Sequence, residues 1–544
     1  MNTVFVQERP RLTNTYASDH LLRTYLEWKL GRDLLASIER ELLELGELAA
    51  GSLFELQRAD RCNEPTFTQW DPWGSRIDRI EVTAVWREAE QLAVRLGLIA
   101  TPYERQVGAW SRTRQLALVY LFHPVTDVYS CPLAMTDGAA RTLLESHNSR
   151  LIDRAVPHLT SRDPAEFWTS GQWMTESTGG SDVGLSRTTA ACDASGVWRL
   201  HGKKWFTSAA NSQIALTLAR PEGNGPGGSG LALFYLETRR ADRSLNGIRI
   251  ERLKDKLGTR KVPTAELTLD GTVAELVAGI TDGTRAIEPM LKITRTWNSV
   301  CAVASMRHAL ALAQDYASRR RAFGATLAEH PLHRETLAEL EAVAAGAFLL
   351  TFFVIELLGR EEAGLLDEDE KSLLRLLTPI VKLATGKQAV QVVSEALEAF
   401  GGAGYIEDTG IPVLLRDTQV LPIWEGTTNV LSLDALLRAD PERGLAVLRR
   451  WMQRATSGVG DGEFSASAGI AAAAVDHASR WLSSIQDRAL LQAGARRFAL
   501  TLARAVELAL LVEYGKSMRQ EPPIKAGQDW CQRLRRAGID CIQD

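Results

Sequence analysis

A mostly helical chain built around one central β-domain, an α+β protein, is what this sequence predicts, and three observations carry that prediction. Long stretches with apolar residues at helical spacing occupy both ends of the chain. Between Gln172 and Val277 the pattern changes to short β-rich runs separated by turn signals. The two patterns come in blocks and do not alternate, which argues against a doubly wound parallel sheet. At 544 residues, 45% apolar and 24% charged, the chain has the composition of an ordinary globular protein with about two to four domains. The composition shifts predict boundaries at 1–170 (helical), 171–280 (β), 281–440 (helical bundle) and 441–544 (a further helical block).

Taken in order, the segment Asp19–Leu56 is rich in Leu, Glu and Arg at helical spacing. Asn63–Arg79, punctuated by Pro65 and Asp71-Pro72-Trp73-Gly74, reads as an ordered loop that should draw Phe67, Trp70 and Trp73 out of water. Helical patterning resumes from Glu88 to about His158, interrupted at Pro102, Pro124 and Pro132. The β-rich runs are Val197–His201, Ile214–Arg220, Leu231–Thr238, Gly247–Leu253 and Thr264–Leu269. Their spacing suggests a small barrel or sandwich, with Pro221–Gly230 as a mobile, exposed loop. Leu291–Arg321, Glu335–Arg360 and Glu368–Phe400 are each long enough for a bundle helix. Ala466–Arg488 and Leu490–Glu513 add two more.

The net charge of −4 provides no general attraction for nucleic acid or an anionic membrane. Cys62, Cys131, Cys192, Cys301, Cys531 and Cys541 are scattered without metal spacing, which favours reduced thiols in the cytoplasm and no metal centre. The N-terminal MNTVFVQERPRL has no apolar signal core, and no run approaches a membrane span, the stretch Ala342–Leu358 reading as a buried helix. There is no G-x-x-x-x-G-K-[ST], H-E-x-x-H or G-x-S-x-G, which removes P-loop enzymes, zinc hydrolases and α/β-hydrolases.

Several polar-glycine clusters remain. In Trp173–Val183, adjacent Gly179 and Gly180 with flanking hydroxyls either form a plain tight turn or expose N–H groups that cradle a phosphate. In Gly202–Ser208 a strand end carries Trp205 and Phe206, which either pack in the core or back a flat cofactor. Arg319-Arg320-Arg321-Ala322-Phe323-Gly324 closes a long helix, where basic residues suit the macrodipole or a pyrophosphate. In Ser394–Leu431 an apolar helical ladder meets Gly401-Gly402, and Trp424-Glu425-Gly426-Thr427-Thr428 then sets a carboxylate between an indole and a glycine. Poor hydration beside an indole raises proton affinity and suits a general base; the alternative is a surface turn glutamate.

In order and spacing these clusters resemble the acyl-CoA dehydrogenase family over roughly 172–438. The matching residues are Met174-Thr175-Glu176, Gly180-Ser181-Asp182-Val183, Lys204–Ser208, Thr294-Arg295, Arg320–Gly324, Phe400–Tyr405, Arg416-Asp417 and Trp424–Asn429. Tyr103-Glu104-Arg105-Gln106, Cys131-Pro132, Glu251–Gly258 and the C-terminal block resemble its AidB-type branch. The resemblance implies a helical N-domain, a β-barrel or sandwich and a C-terminal four-helix bundle holding FAD, with an acyl-CoA thioester as substrate. Glu425 would take the α-proton, with Arg295 near it, giving a 2-enoyl thioester. Thr175, Ser181, Trp205, Thr207, Thr427 and Thr428 would contact the flavin side, and Arg320, Phe323, Gly401 and Gly402 the dinucleotide end across a subunit interface. An electron-transfer flavoprotein would accept the electrons, and the assembly would be a homotetramer, a dimer of dimers. Two departures stand out: Ser177-Thr178 where Pro-Gly is common, and Glu398 where glutamine is common.

The same resemblance carries an alternative, an AidB-like DNA-associated flavoprotein with weak or vestigial dehydrogenase activity. Residues 441–544 hold 15 Lys and Arg against 11 Asp and Glu, and Arg533-Leu534-Arg535-Arg536 is their most basic point.

Overall fold

The computed structural model describes residues 7–459, 462–518 and 521–536, so Cys541 and the start of the N-terminal segment lie outside the described residues. The chain forms two compact units. One comprises residues up to Phe54, Arg105–Pro124 and Asn298 onward; the other comprises Glu55–Glu104 and Val125–Trp297.

In the second unit the β-rich runs fold as expected for a barrel. Its strands are β3 (Ser170–Trp173), β4 (Thr189–Cys192), β5 (Trp198–Thr207), β6 (Ile214–Pro221), β7 (Ala232–Glu237), β8 (Ile248–Leu253) and β9 (Ala265–Leu276). The order is β3-β6-β4-β5-β9-β7, with β8 also on β9, and β7 returns to pair with β6, so the sheet closes on itself. Alternation along β9 and β5 sends Leu267, Leu269 and Leu200 inward, where they join Trp173, Phe234 and Ile250. The glycine-rich Pro221–Gly230 loop is mostly exposed, yet Arg220 donates to the carbonyls of Gly184, Gly225 and Gly227 and ties it down.

Asn63–Arg79 departs from expectation. It is a hairpin of β1 (Thr66–Trp70) and β2 (Arg76–Glu81), fastened to β8 by Asp78, which accepts from the Ile250 N–H at 2.8 Å. Phe67 packs on the barrel core, but Asp71 closes the turn through the N–H groups of Trp73 and Ser75, and this leaves Trp73 91% exposed.

The first unit is helical. Glu368–Glu398 begins on a capping box in which Asp367 accepts from the Glu370 N–H, and Arg488–Ser517 begins on Asp487. Pro331–Glu362 carries Phe348 and Phe352 against Tyr25 of His20–Leu30. Its apolar window is long enough to cross a membrane, against the expectation that no run is, but 89% of that window is buried in the protein, as expected for Ala342–Leu358. Gly346 sits where an added Cβ would meet Glu507 and Leu534, so Arg488–Ser517 and Glu521–Arg536 cover this helix.

Two buried imidazoles give this unit a pH dependence. His123 bonds Ser305 and His308 packs edge-on against Phe54; burial lowers them to about 3 and about 4, with His308 adding to the effect on His123. The unfolded chain takes up these protons near pH 6.5 while the folded one stays neutral. Stability is therefore lost as pH falls below 6.5, by about 2 kcal/mol per imidazole at pH 5. Urea unfolding at pH 7.5 and pH 5 should show this drop, and His308→Phe should halve it.

Candidate functional site

The predicted residues divide between the units, and each unit assembles its own set. In the barrel unit, Glu176 and Gly179 close a two-residue turn over Ser177-Thr178 through mutual main-chain hydrogen bonds, and Gly179 has φ +129°. This accommodates the absent Pro-Gly pair. A Cβ on Gly180 would lie 2.7 Å from Thr175 Oγ1, so a larger residue there would have to displace the Thr175 side chain, and Ser181 is left exposed at the rim. The Thr175 carbonyl accepts from the Trp205 N–H at 2.9 Å, which joins the first cluster to the second.

Trp205 is half-buried, with the Lys254 ammonium 3.7 Å from its ring centroid. Thr207 is buried and donates its hydroxyl to the Ala265 carbonyl, so it offers a ligand lone pairs and not that proton. Beneath these residues lies an ion pair that sequence reasoning did not single out. The fully buried Lys204 donates to Glu176 at 2.9 Å and to the Leu218 carbonyl at 2.8 Å. Glu176 also accepts from Thr188 Oγ1 at 2.6 Å and from the Arg187 N–H at 2.7 Å. Burial alone would raise the Glu176 carboxyl; Lys204 and these donors outweigh it and hold it below the ordinary carboxylate range. Arg295 is half-buried on Glu288–Arg319 beside Thr294, whose hydroxyl bonds the Met290 carbonyl.

In the helical unit, Glu425, Thr427 and Thr428 stand together on one turn. Glu425 is half-buried with φ +57°, and Gly426 follows at +104°, where a Cβ would meet Leu431 at 2.8 Å. A non-glycine residue in the left-handed region costs about 1–2 kcal/mol, and such strain gathers at working sites. Thr427 is the N-cap of Thr428–Leu437, and Thr428 is buried. The indole of Trp424 donates to Asn298, and the buried Lys382 donates to the Gly426 carbonyl at 2.6 Å. Neither Asn298 nor Lys382 was anticipated. A single charged residue inside the largely apolar stretch Leu376–Ala384 was the one signal that pointed to the latter.

Gly401, Gly402, Arg320 and Phe323 form a second group. Glu288–Arg319 ends in β10 (Arg321–Ala322) and β11 (Ala325–Thr326), whose connecting residues, Phe323 and Gly324, both have positive φ. A primed turn with phenylalanine in its first position is unusual, and this ring is 99% exposed. Tyr316 and Phe400, ring centroids 4.9 Å apart, hold that helix end beside Gly401 (φ +59°) and Gly402, where an added Cβ would meet open space. Lys382 and Glu398 lie roughly 24 Å apart along their helix, so this group is remote from the Glu425 turn.

A cavity of about 310 Å³ in the helical unit, walled by Tyr120, Arg307, Glu341, Phe348, Trp530 and Arg533, contains none of the predicted catalytic or cofactor residues. Its arginines are already paired, Arg307 with Asp19 and Glu341, and Arg533 with Glu335.

Three family models match the chain: the adaptive response protein AidB N-terminal domain over residues 8–164, and the acyl-CoA dehydrogenase middle domain over 171–272 and C-terminal domain over 281–438. Acyl-CoA dehydrogenase family member 11 of Caenorhabditis elegans is 40% identical over 97% of this chain and 88% of its own length. Putative acyl-CoA dehydrogenase AidB of Escherichia coli K12 is 32% identical over 82% of this chain and 81% of its own. The crystal structure of C. elegans ACDH-11 in complex with C11-CoA superposes with a TM-score of 0.95 at 38% identity, covering 100% of this chain and 94% of that one.

Proposed function

Since the chain belongs to the acyl-CoA dehydrogenase family, in its AidB-type branch, we propose that it is an FAD-dependent oxidoreductase that oxidises an acyl-CoA thioester to the 2-enoyl thioester, with Glu425 as the α-proton acceptor. The carrying observation is the Glu425 turn, which holds a carboxylate in a strained, bracketed conformation between Trp424 and Gly426. Glu425 accepts the α-proton, and its main-chain N–H is a preorganised donor for the thioester oxygen that gains charge as the proton leaves. Arg295 completes the proposed catalytic pair by family resemblance.

The residues present fit FAD. The Gly179-Gly180 turn, so tight that a Cβ would strike Thr175, offers a phosphate cradle with Ser181 at its rim, and half-buried Trp205 offers a flat backing. Thr207, Thr427 and Thr428 add hydroxyls, while Arg320, Phe323 and the open Gly401-Gly402 surface suit the dinucleotide end. Bound FAD supplies the hydride acceptor, and the protein supplies the base and the alignment.

The assembly is proposed as a homotetramer in the cytoplasm, reoxidised by an electron-transfer flavoprotein. The exposed Phe323 and the 88% exposed Tyr405 favour a covering subunit, and the five described cysteines are free thiols, as suits a reducing compartment. The DNA-associated alternative finds little support, because Arg533 and Arg535 are engaged with Glu335 and Glu463.

Anaerobic titration with straight-chain acyl-CoAs, including the C11-CoA bound by the C. elegans structure, should bleach the flavin for at least one chain length. No bleaching across the panel would overturn the enzymatic reading.

A further inference from the structure

We propose that Lys382 is a positioning residue for the base, holding, together with Asn298, the left-handed turn on which Glu425 stands. The inference rests on the reading of Glu425 as the proton acceptor. Lys382 lies mid-way along Glu368–Glu398 and is fully buried, and burying an ammonium in a helical core is unfavourable where a methionine would pack freely. The charge-assisted bond from its Nζ to the Gly426 carbonyl, at 2.6 Å, gives that ammonium a local purpose.

The turn needs such a clamp. Glu425, a non-glycine residue, has φ +57°, so left to itself this residue would relax toward ordinary backbone angles. On the other side of the base, Asn298 accepts from the Trp424 indole and donates through Nδ2 to the Leu421 carbonyl at 3.2 Å. One turn further along the Lys382 helix, Gly386 lets the chain approach so closely that a Cβ would meet the Leu421 carbonyl carbon and the Pro422 nitrogen at 3.2 Å. The glutamate is therefore bracketed: Trp424 is fixed to one helix just before it and Gly426 to another just after it. Misplacing a catalytic group by about 1 Å can cost on the order of a hundredfold in rate, and the clamp acts at that scale.

The test compares Lys382→Met, Lys382→Gln, Glu425→Gln and wild-type holoenzyme. It measures flavin content, anaerobic bleaching by the best acyl-CoA of the panel, its Kd, and amide hydrogen exchange across residues 421–431 with and without FAD. Lys382→Met should keep its flavin and its Kd, bleach about a hundredfold more slowly, and exchange faster only across 421–431. Lys382→Gln, which retains a donor without the charge, should recover part of both losses. If Lys382→Met bleaches within about threefold of wild type with unchanged exchange while Glu425→Gln stays dark to substrate, the positioning role is overturned and the base stands. If Glu425→Gln bleaches like wild type, the base reading falls and takes the positioning role with it. Should Lys382→Met fail to fold, Lys382→Gln decides: wild-type rate and exchange overturn the clamp, and about tenfold slower bleaching with local loosening supports it.

Discussion

Glu425→Gln is expected to leave the protein folded and yellow but to slow flavin reduction by acyl-CoA by about three orders of magnitude. The amide has nearly the same shape as the carboxylate and the side chain is only half-buried, so neither packing nor the strained turn should change. What disappears is proton affinity: an amide cannot accept the α-proton, and without that transfer the β-hydride has no developing enolate to leave from. Stopped-flow absorbance of the flavin under anaerobic conditions measures the effect directly. A variant that bleaches normally would place the base elsewhere.

The second large effect is one of stability. Lys204→Met should destabilise the barrel unit by about 3–5 kcal/mol at neutral pH, because it strands the Glu176 carboxylate in the core. Glu176 is 4% exposed and Lys204 fully buried, so water cannot replace the lost partner. The pH dependence follows from the lowered Glu176 carboxyl. In the wild type its contribution is fully present above the ordinary value of 4.5 and is lost as pH falls through the lower folded value. In the variant the stranded carboxylate takes up a proton more readily, so its deficit relative to wild type should shrink toward acid pH. Urea unfolding of both proteins at pH 7 and pH 5 tests this. Adding Glu176→Gln should restore part of the loss, since the pair is coupled. The variant should also hold FAD less firmly, because Glu176 closes the turn that carries Gly179 and Gly180.

These two experiments probe features that differed greatly in how visible they were beforehand. Glu425 lies in a contiguous motif after a helix that ends at glycines, so its place on a turn could be read directly. The helical blocks were equally plain: the expected Leu291–Arg321 and Glu335–Arg360 are observed as Glu288–Arg319 and Pro331–Glu362. The partners that hold the site were not legible, because each is joined to it across a long stretch of chain. Lys382 reaches a carbonyl 44 positions away, Asn298 meets an indole 126 positions away, and Lys204 meets Glu176 across 28. Apart from the apolar neighbours of Lys382, nothing local distinguishes such a lysine from one on a solvated face. β3 and β4, four residues each, are too short to show a period of two, and only the pairing of β7 with both β6 and β9 reveals that the sheet closes. Trp73 misled for a different reason: its burial was inferred from its hydrophobicity, but the Asp71 turn sets it at a hairpin tip.

The apolar helix Pro331–Glu362 imposes an order on synthesis. Its coverings, Arg488–Ser517 and Glu521–Arg536, are encoded more than a hundred residues downstream. At about 5–20 residues per second, the ribosome releases that helix roughly ten to thirty seconds before these last two of its covering helices exist, although His20–Leu30 has already been made. Throughout that interval a segment whose length and composition would suit a lipid bilayer is only partly covered. Arg488–Ser517 and Glu521–Arg536 thus act as a delayed shield, the last layer laid over a helix that its earlier neighbours leave partly open.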